Sequence, residues 1–374
     1  MRYEYWFCGI SQLPSYKKIA LKEYYKSAET IYHLPEKEIM TSKILTEREQ
    51  EALRAAQRRN PWQEEEYCIQ NNIQLTVLGM ENYPSRLIHI HHPPYGLYFR
   101  GRLPREERVS VAVVGARECS EYGRILARQI GTELSECGIE VISGMASGID
   151  GAAHRGVIFQ NEIPQGTAGE EGAAYSVLGS GVDICYPVRN RDLYEAIPKK
   201  GGVISEYSPQ IKPLPANFPL RNRIISGLSD CVIVVEARKK SGSLITADFA
   251  LEQGKEVYAV PGRLSDELSR GTNGLISQGA GIFLTTEEFL EETGFGRSLV
   301  GALHQKRKIP LENSERLVYS CVDLTPRNLE ELMEKTGLSY QQLVIDITSL
   351  CKKDYIQEIY KNYYIRSQSG ESGE

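Results

Sequence analysis

The sequence predicts an α/β fold in which a doubly wound, mostly parallel sheet lies between a small helical N-terminal domain and a C-terminal winged-helix module. From about residue 104 to 295, short apolar, β-branched runs alternate with helical stretches, as in βαβ units. These runs are continuously apolar, so helices are expected on both faces of the sheet. Apolar residues at helical spacing before and after this region predict the two flanking domains.

Seven strands are predicted in the central region, at 109–115, 139–143, 174–178, 202–205, 231–235, 256–260 and 281–284. An eighth, at 74–78, precedes a proline-rich segment that leads into the main domain. Ligands of doubly wound folds bind at the carboxyl ends of the strands, so the residues that follow each strand are the first candidates for a site.

The chain is expected to divide into a helical domain at 1–70, the sheet domain at 71–296, a linker at 297–312, a winged-helix module at 313–366 and a disordered tail at 367–374. In the module two helices precede a pair of strands. Asp346 and Asp354 offset Lys352 and Lys353 there. DNA binding through the second helix and a protein-contact or structural role therefore both remain open.

Composition excludes several classes of protein. With 44 Lys and Arg against 49 Asp and Glu in 374 residues, the net charge is −5, so any nucleic-acid site must be a local patch. The longest apolar runs fall far short of the roughly 20 residues of a membrane span, and the N-terminus does not resemble a secretion signal, which predicts a cytoplasmic protein. Eight scattered cysteines and the isolated cluster His89, His91 and His92 predict no metal site.

The residues after the first two strands of the main domain are typical of ligand loops. Arg117 follows the first strand and suits a phosphate or a structural salt bridge, while Ser120 is expected to cap the next helix, whose amides would face an anion. The Gly-x-Gly-x-x-Gly fingerprint of dinucleotide-binding proteins is absent, so no cofactor is predicted. After the second strand, Ser143 and Gly144 open a loop of small residues at 143–148 that allows close approach of a ligand.

Asp150 and His154 lie four apart on one face of the helix that follows this loop. An acid/base pair is one interpretation. The sequence favours the other, in which Asp150 caps the helix and His154 hydrogen-bonds the loop 143–148, because neither a nucleophile nor a metal ligand accompanies them.

Residues 207–242 form a local basic zone with six basic and two acidic side chains. Arg221 and Arg223 point to different sides of a helix start, so one is expected to hold phosphate and the other to pair internally with an acid. Phe218 is expected either to stack on a base or to pack under a loop. After the next strand come Lys239, Lys240 and a helix start at Ser241-Gly242-Ser243 that again favours an anion. By chemistry alone this zone suits a nucleotide, a sugar phosphate or a polynucleotide.

At these residues the chain strongly resembles the DNA-processing protein A family, also called DprA or Smf. The matching segments are Gly115-Ala116-Arg117, Ser143-Gly144-x-Ala146-x-Gly148-Ile149-Asp150, Phe218-Pro219-x-Arg221-Asn222-Arg223 and Ser241-Gly242-Ser243-Leu244-Ile245-Thr246-Ala247. The resemblance implies an extended Rossmann-like fold with a SAM-like N-terminal domain. It also implies a homodimer that binds single-stranded DNA without base specificity, protects incoming DNA and helps load the RecA recombinase during natural transformation.

The resemblance and the residues together give the candidate sites. DNA binding is predicted for Arg117, Ser120, Ser143, Gly144, Phe218, Arg221, Asn222, Arg223, Lys239, Lys240, Ser241 and Gly242. Asp150 and His154 are predicted to structure a loop. The segment 164–175 departs from the family by being longer and more acidic. A nucleotide-processing enzyme of the lysine-decarboxylase-like phosphoribohydrolase type is the alternative, but its Pro-Gly-Gly element is missing, so no catalysis is expected.

Overall fold

A computed structural model describes residues 1–159, 171–295, 311–353 and 355–366. The chain forms two compact units, Met1–Phe295 and Gly296–Glu374. Most of the acidic segment 164–175, nearly all of the expected linker 297–312 and the expected tail 367–374 lie outside the described residues.

The first unit begins with six short helices. They are α1 (Arg2–Cys8), α2 (Ser15–Tyr25), α3 (Ala28–Tyr32), α4 (Glu36–Met40), α5 (Glu47–Gln57) and α6 (Trp62–Gln70). Helix α5 begins with a capping box, in which Thr46 and Glu49 each bond the backbone of the other. The Tyr98 hydroxyl, in the sheet, donates to Glu64 of α6 at 2.8 Å. The helices therefore pack within the same unit as the sheet.

A nine-stranded sheet forms the centre of this unit. Its strands are β1 (Gln74–Val77), β2 (Gly96–Gly101), β3 (Ser110–Val114), β4 (Glu140–Ser143), β5 (Ala174–Val177), β6 (Gly202–Ser205), β7 (Cys231–Val234), β8 (Glu256–Ala259) and β9 (Gly281–Ile282). The order is β1-β2-β6-β5-β4-β3-β7-β8-β9. Strands β3 to β9 pair in parallel, whereas β2 runs antiparallel to both β1 and β6. The predicted mostly parallel α/β fold is confirmed.

Helices cover both faces of the sheet. They are α7 (Glu121–Glu136), α8 (Ile149–Ile158), α9 (Arg191–Lys200), α10 (Asn217–Leu228), α11 (Gly242–Glu252), α12 (Arg270–Ser277) and α13 (Thr286–Thr293). Strand residues such as Val114, Ile142 and Val232 are fully buried in the core. The chain leaves β3 towards β4 on one side and later returns to β7 on the other, so β3 lies at a topological switch point. Doubly wound folds bind ligands at such a point.

The second unit contains α14 (Asn313–Cys321), α15 (Leu329–Thr336), α16 (Tyr340–Lys352) and the strands β10 (Arg327–Asn328), β11 (Ile356–Tyr360) and β12 (Tyr363–Arg366). The strands form a sheet of order β10-β12-β11. Val318, Leu332 and Leu350 are fully buried in a core of its own. The winged-helix assignment stays a prediction. None of the described helices in either unit is long and apolar enough to cross a bilayer.

A chain that ends at residue 295 is expected to fold and to keep the DNA binding that the family resemblance implies, because residues 1–295 form a compact unit with a separate core. Circular dichroism melts and single-stranded DNA titrations of the truncated and full-length chains measure this. A truncated chain that folds but has lost DNA binding would contradict the expectation.

Candidate nucleic-acid interface

A cleft of about 540 Å³ lies at the carboxyl ends of β3 and β7. Its wall includes residues 114–118 at the carboxyl end of β3, residues of α10 and the first turn of α11. The predicted residues that line it are Arg117, Asp150, Phe218, Arg221, Asn222, Lys240, Ser241 and Gly242. Those that do not line it are Ser120, Ser143, Gly144, His154, Arg223 and Lys239. These predicted residues come from four separate segments of the sequence, which the fold brings together at the switch point.

The rim of the cleft carries exposed positive charge. Arg117, Arg238 and Lys240 are all exposed. Arg238 lies 3.9 Å from the carboxylate of Glu118, and both side chains are largely exposed to solvent. Sequence reasoning did not select Arg238, although its place at the start of the run Arg238-Lys239-Lys240, directly after a buried strand, was an available signal.

The N-terminus of α11 presents its backbone amides to the cleft. The Ser241 hydroxyl accepts from the Ser243 amide at 3.4 Å, and Asn222 donates to the Gly242 carbonyl at 3.1 Å and so fixes this turn. The first turn contains no acidic side chain, and nothing lies within 4 Å of the position that a Gly242 side chain would take. The partial positive charge of this helix end is therefore available to an anion.

The N-terminus of α7, unlike that of α11, is already bound by a carboxylate of the protein itself. Ser120 caps the helix as predicted, accepting from the Gly123 amide at 2.9 Å. The carboxylate of Glu236, buried after β7, accepts from the Ser120 amide at 2.8 Å and from the Ser120 hydroxyl. The anion at this helix end is thus an internal carboxylate, which occupies the position that a DNA phosphate would need, and DNA binding by Ser120 stays a prediction.

Arg221 and Arg223 are both buried, and their partners differ. Arg223 forms a bidentate ion pair with Glu206 at 2.8 and 2.7 Å and donates to the His92 carbonyl at 3.0 Å. The structure thus identifies Arg223 as the internally paired residue of the two. Arg221 donates to the carbonyls of Gly144, at 3.0 Å, and Val177 while it lines the cleft.

The loop after β4 is built around Arg221 and Asp150. Asp150 accepts from the Gly144 amide at 3.1 Å, and burial raises the pKa of its carboxyl while the Arg221 guanidinium opposes that shift. Burial also lowers the pKa of Arg221 to about 10. Gly144 lies directly under that guanidinium, and the buried Ser143 hydroxyl donates to the Val113 carbonyl at 2.6 Å. Ser143 and Gly144 are thus both covered by neighbouring groups, and their predicted DNA binding stays a prediction.

Asp150 bonds the loop 143–148 as expected, but its predicted role as helix cap and the predicted partner of His154 are wrong. Gly148, not Asp150, is the N-cap of α8, and its φ of 77° suits glycine. His154 Nε2 donates to the Tyr175 carbonyl of β5 at 3.1 Å instead of to the loop 143–148. The reason is that a residue one turn into α8 faces the sheet, and burial there lowers the pKa of His154 to about 4.

Three planar groups meet on one wall of the cleft. The Arg117 guanidinium lies 5.1 Å from the centre of the Phe218 ring, and the Tyr186 ring lies 5.5 Å from it at 30°. Phe218 is half-buried and also packs against Gly179. Sequence reasoning did not select Tyr186 as a site residue, since only the fold brings it to Phe218.

Comparison with known proteins agrees with this geometry. The family described as DNA recombination-mediator protein A matches residues 74–294. Protein Smf of Escherichia coli is 40% identical over 228 residues, which are 61% of this chain and 58% of that protein. DNA processing protein DprA of Streptococcus pneumoniae is 40% identical over 213 residues, which are 57% of this chain and 72% of that protein. The chain thus spans less than two thirds of the length of the Escherichia coli relative.

Solved structures extend the comparison to the fold. DprA from Streptococcus pneumoniae has a TM-score of 0.66 and 31% identity over 78% of this chain and 98% of that chain. DNA processing protein A from Helicobacter pylori, described for its single-stranded DNA binding mode, has a TM-score of 0.50 and 28% identity over 59% of this chain and 95% of that chain. The family match covers more than half of the sequence and contains every residue of the cleft, and the chain therefore belongs to the DNA recombination-mediator protein A family.

Proposed function

We propose that the cleft binds single-stranded DNA through the phosphate backbone and with little preference for base sequence. One observation carries the proposal: the free N-terminus of α11 lies beside the exposed cations Arg117, Arg238 and Lys240 in one cleft. Backbone amides at a helix end and exposed Arg and Lys side chains both bind phosphate, so together they can hold successive phosphates of a DNA strand. Aromatic side chains on the cleft wall add surface on which an unpaired base can stack, whatever its identity.

Single-stranded DNA affinity is expected to fall steeply as the salt concentration rises, because phosphate binding releases counterions. Arg117→Ala and Lys240→Ala should each weaken oligo(dT) binding and reduce the salt slope by about 0.7. Fluorescence anisotropy with labelled oligo(dT) over a range of salt concentrations measures both quantities. Lys37→Ala, on helix α4, is the matched control and should change neither. Binding of blunt duplex DNA that is as tight as or tighter than binding of oligo(dT) would contradict the proposal.

We further propose that the protein protects incoming DNA and helps load RecA onto it during natural transformation, as a cytoplasmic homodimer. Its membership of a recombination-mediator family supports this role. Light scattering measures the dimer, and RecA strand exchange on DNA coated with single-strand-binding protein measures the loading. Strand exchange that is equally fast with and without the protein would contradict the loading role.

We also propose that the protein is not an enzyme. Asp150, the carboxylate on the inner wall of the cleft, accepts a backbone hydrogen bond and lies beside Arg221, while Glu118 stands at the exposed rim. Neither is paired with a nucleophile among the described residues. No release of base or phosphate from nucleoside monophosphates is expected at any pH between about 5 and about 9. Release by the wild type that disappears in a folded Asp150→Asn variant would show that the protein is an enzyme.

A further inference from the structure

Tyr186 is an aromatic residue on the cleft that is not among the predicted DNA-binding residues. It follows β5 in the segment before the short helical turn Val188–Asn190, lines the same cleft as Phe218 and is 40% exposed. Among the described residues, none forms a hydrogen bond with its hydroxyl. The ring is therefore held in place by packing and keeps free surface at the opening.

Phe218 is less exposed than Tyr186. Its ring is contacted by the Arg117 guanidinium at 5.1 Å, by Tyr186 at 5.5 Å and by the backbone at Gly179. Tyr186 makes one of these contacts and remains exposed on the cleft. The Tyr186 ring therefore offers an entering base more uncovered surface than the half-buried Phe218 ring does.

We propose that Tyr186 is a base-stacking position for an unpaired nucleobase, and that Phe218 and Arg117 support its ring from within the cleft. The inference rests on the proposed binding of single-stranded DNA. Stacking uses the face common to all bases, so this position adds affinity without sequence preference. It also discriminates against duplex DNA, in which the base faces are covered by neighbouring pairs.

The test compares oligo(dT) with an oligomer of the same length in which every base is replaced by an abasic tetrahydrofuran. Tyr186→Leu should weaken oligo(dT) binding roughly fivefold or more, as expected for the loss of one stacked base, and leave binding of the abasic oligomer unchanged. Tyr186→Phe should match the wild type on both ligands. Tyr24→Leu, which removes an exposed tyrosine of α2, is the matched control and should change neither affinity.

Equal losses on both oligomers would show that Tyr186 only shapes the phosphate site, and no loss on oligo(dT) would show that no base rests on it. Either result overturns the inference while the proposed function stands. Failure of the wild type to bind oligo(dT) would overturn both. If Tyr186→Leu does not fold, Tyr186→Trp decides the question, because its added fluorescence should be quenched by oligo(dT) and not by the abasic oligomer.

Discussion

The Arg223→Met variant is expected to lose about 3–5 kcal/mol of unfolding free energy, because it leaves the carboxylate of Glu206 buried without its cation. The side chains of the pair are only 9% and 17% exposed. The variant also removes the donors to the His92 and Leu220 carbonyls, each at 3.0 Å. Urea unfolding measured by circular dichroism gives the difference directly.

A double variant separates the buried charge from lost packing. Arg223→Met combined with Glu206→Gln should recover about 1–2 kcal/mol, since a neutral amide no longer needs the cation and still accepts from the Ser15 hydroxyl. Below its melting temperature Arg223→Met should bind oligo(dT) like the wild type, because Arg223 does not line the cleft. A stable Arg223→Met variant with weakened DNA binding would contradict the internal pairing.

The core of the fold was predictable because parallel strands with both faces buried leave continuous apolar runs in the sequence. All seven strands predicted between residues 104 and 295 are present, with ends shifted by at most two residues. Strand Gly96–Gly101 was missed. It follows Pro93-Pro94, has glycine at both ends and carries Arg100, so its sequence resembles a loop, and its antiparallel partners β1 and β6 come from distant segments.

The candidate site was predictable where its signal is local. The serine caps at Ser120 and Ser241 and the basic run after β7 can be recognised within a few residues. The carboxylates that occupy two of the predicted anion-binding positions cannot be recognised in this way. Glu236 lies 116 residues from Ser120, and Glu206 lies 17 residues from Arg223 in a different element. Only the folded sheet shows which positive positions are already neutralised and which face the cleft.

Acid is expected to destabilise the protein through His154. Burial lowers the pKa of His154 to about 4 in the folded chain, with Arg155 and Arg221 acting in the same direction, whereas the unfolded value is about 6.5. Between these values the unfolded chain binds a proton that the folded chain excludes. The contribution is therefore fully present above about pH 6.5 and is lost as the pH falls towards about 4.

The size of this loss is about 2–3 kcal/mol between about pH 7.5 and about pH 4.5, since each unit of difference in pKa is worth about 1.4 kcal/mol. His154→Gln isolates it, because glutamine does not titrate and its amide still has a donor for the Tyr175 carbonyl. The stability advantage of the wild type over His154→Gln should shrink by that amount across the range. Other titrating groups, including Asp150 with its raised pKa, are shared by both proteins and cancel in the difference. A constant advantage from neutral to acid pH would mean that the pKa of His154 is the same in the folded and the unfolded chain, and that burial in α8 does not exclude the proton.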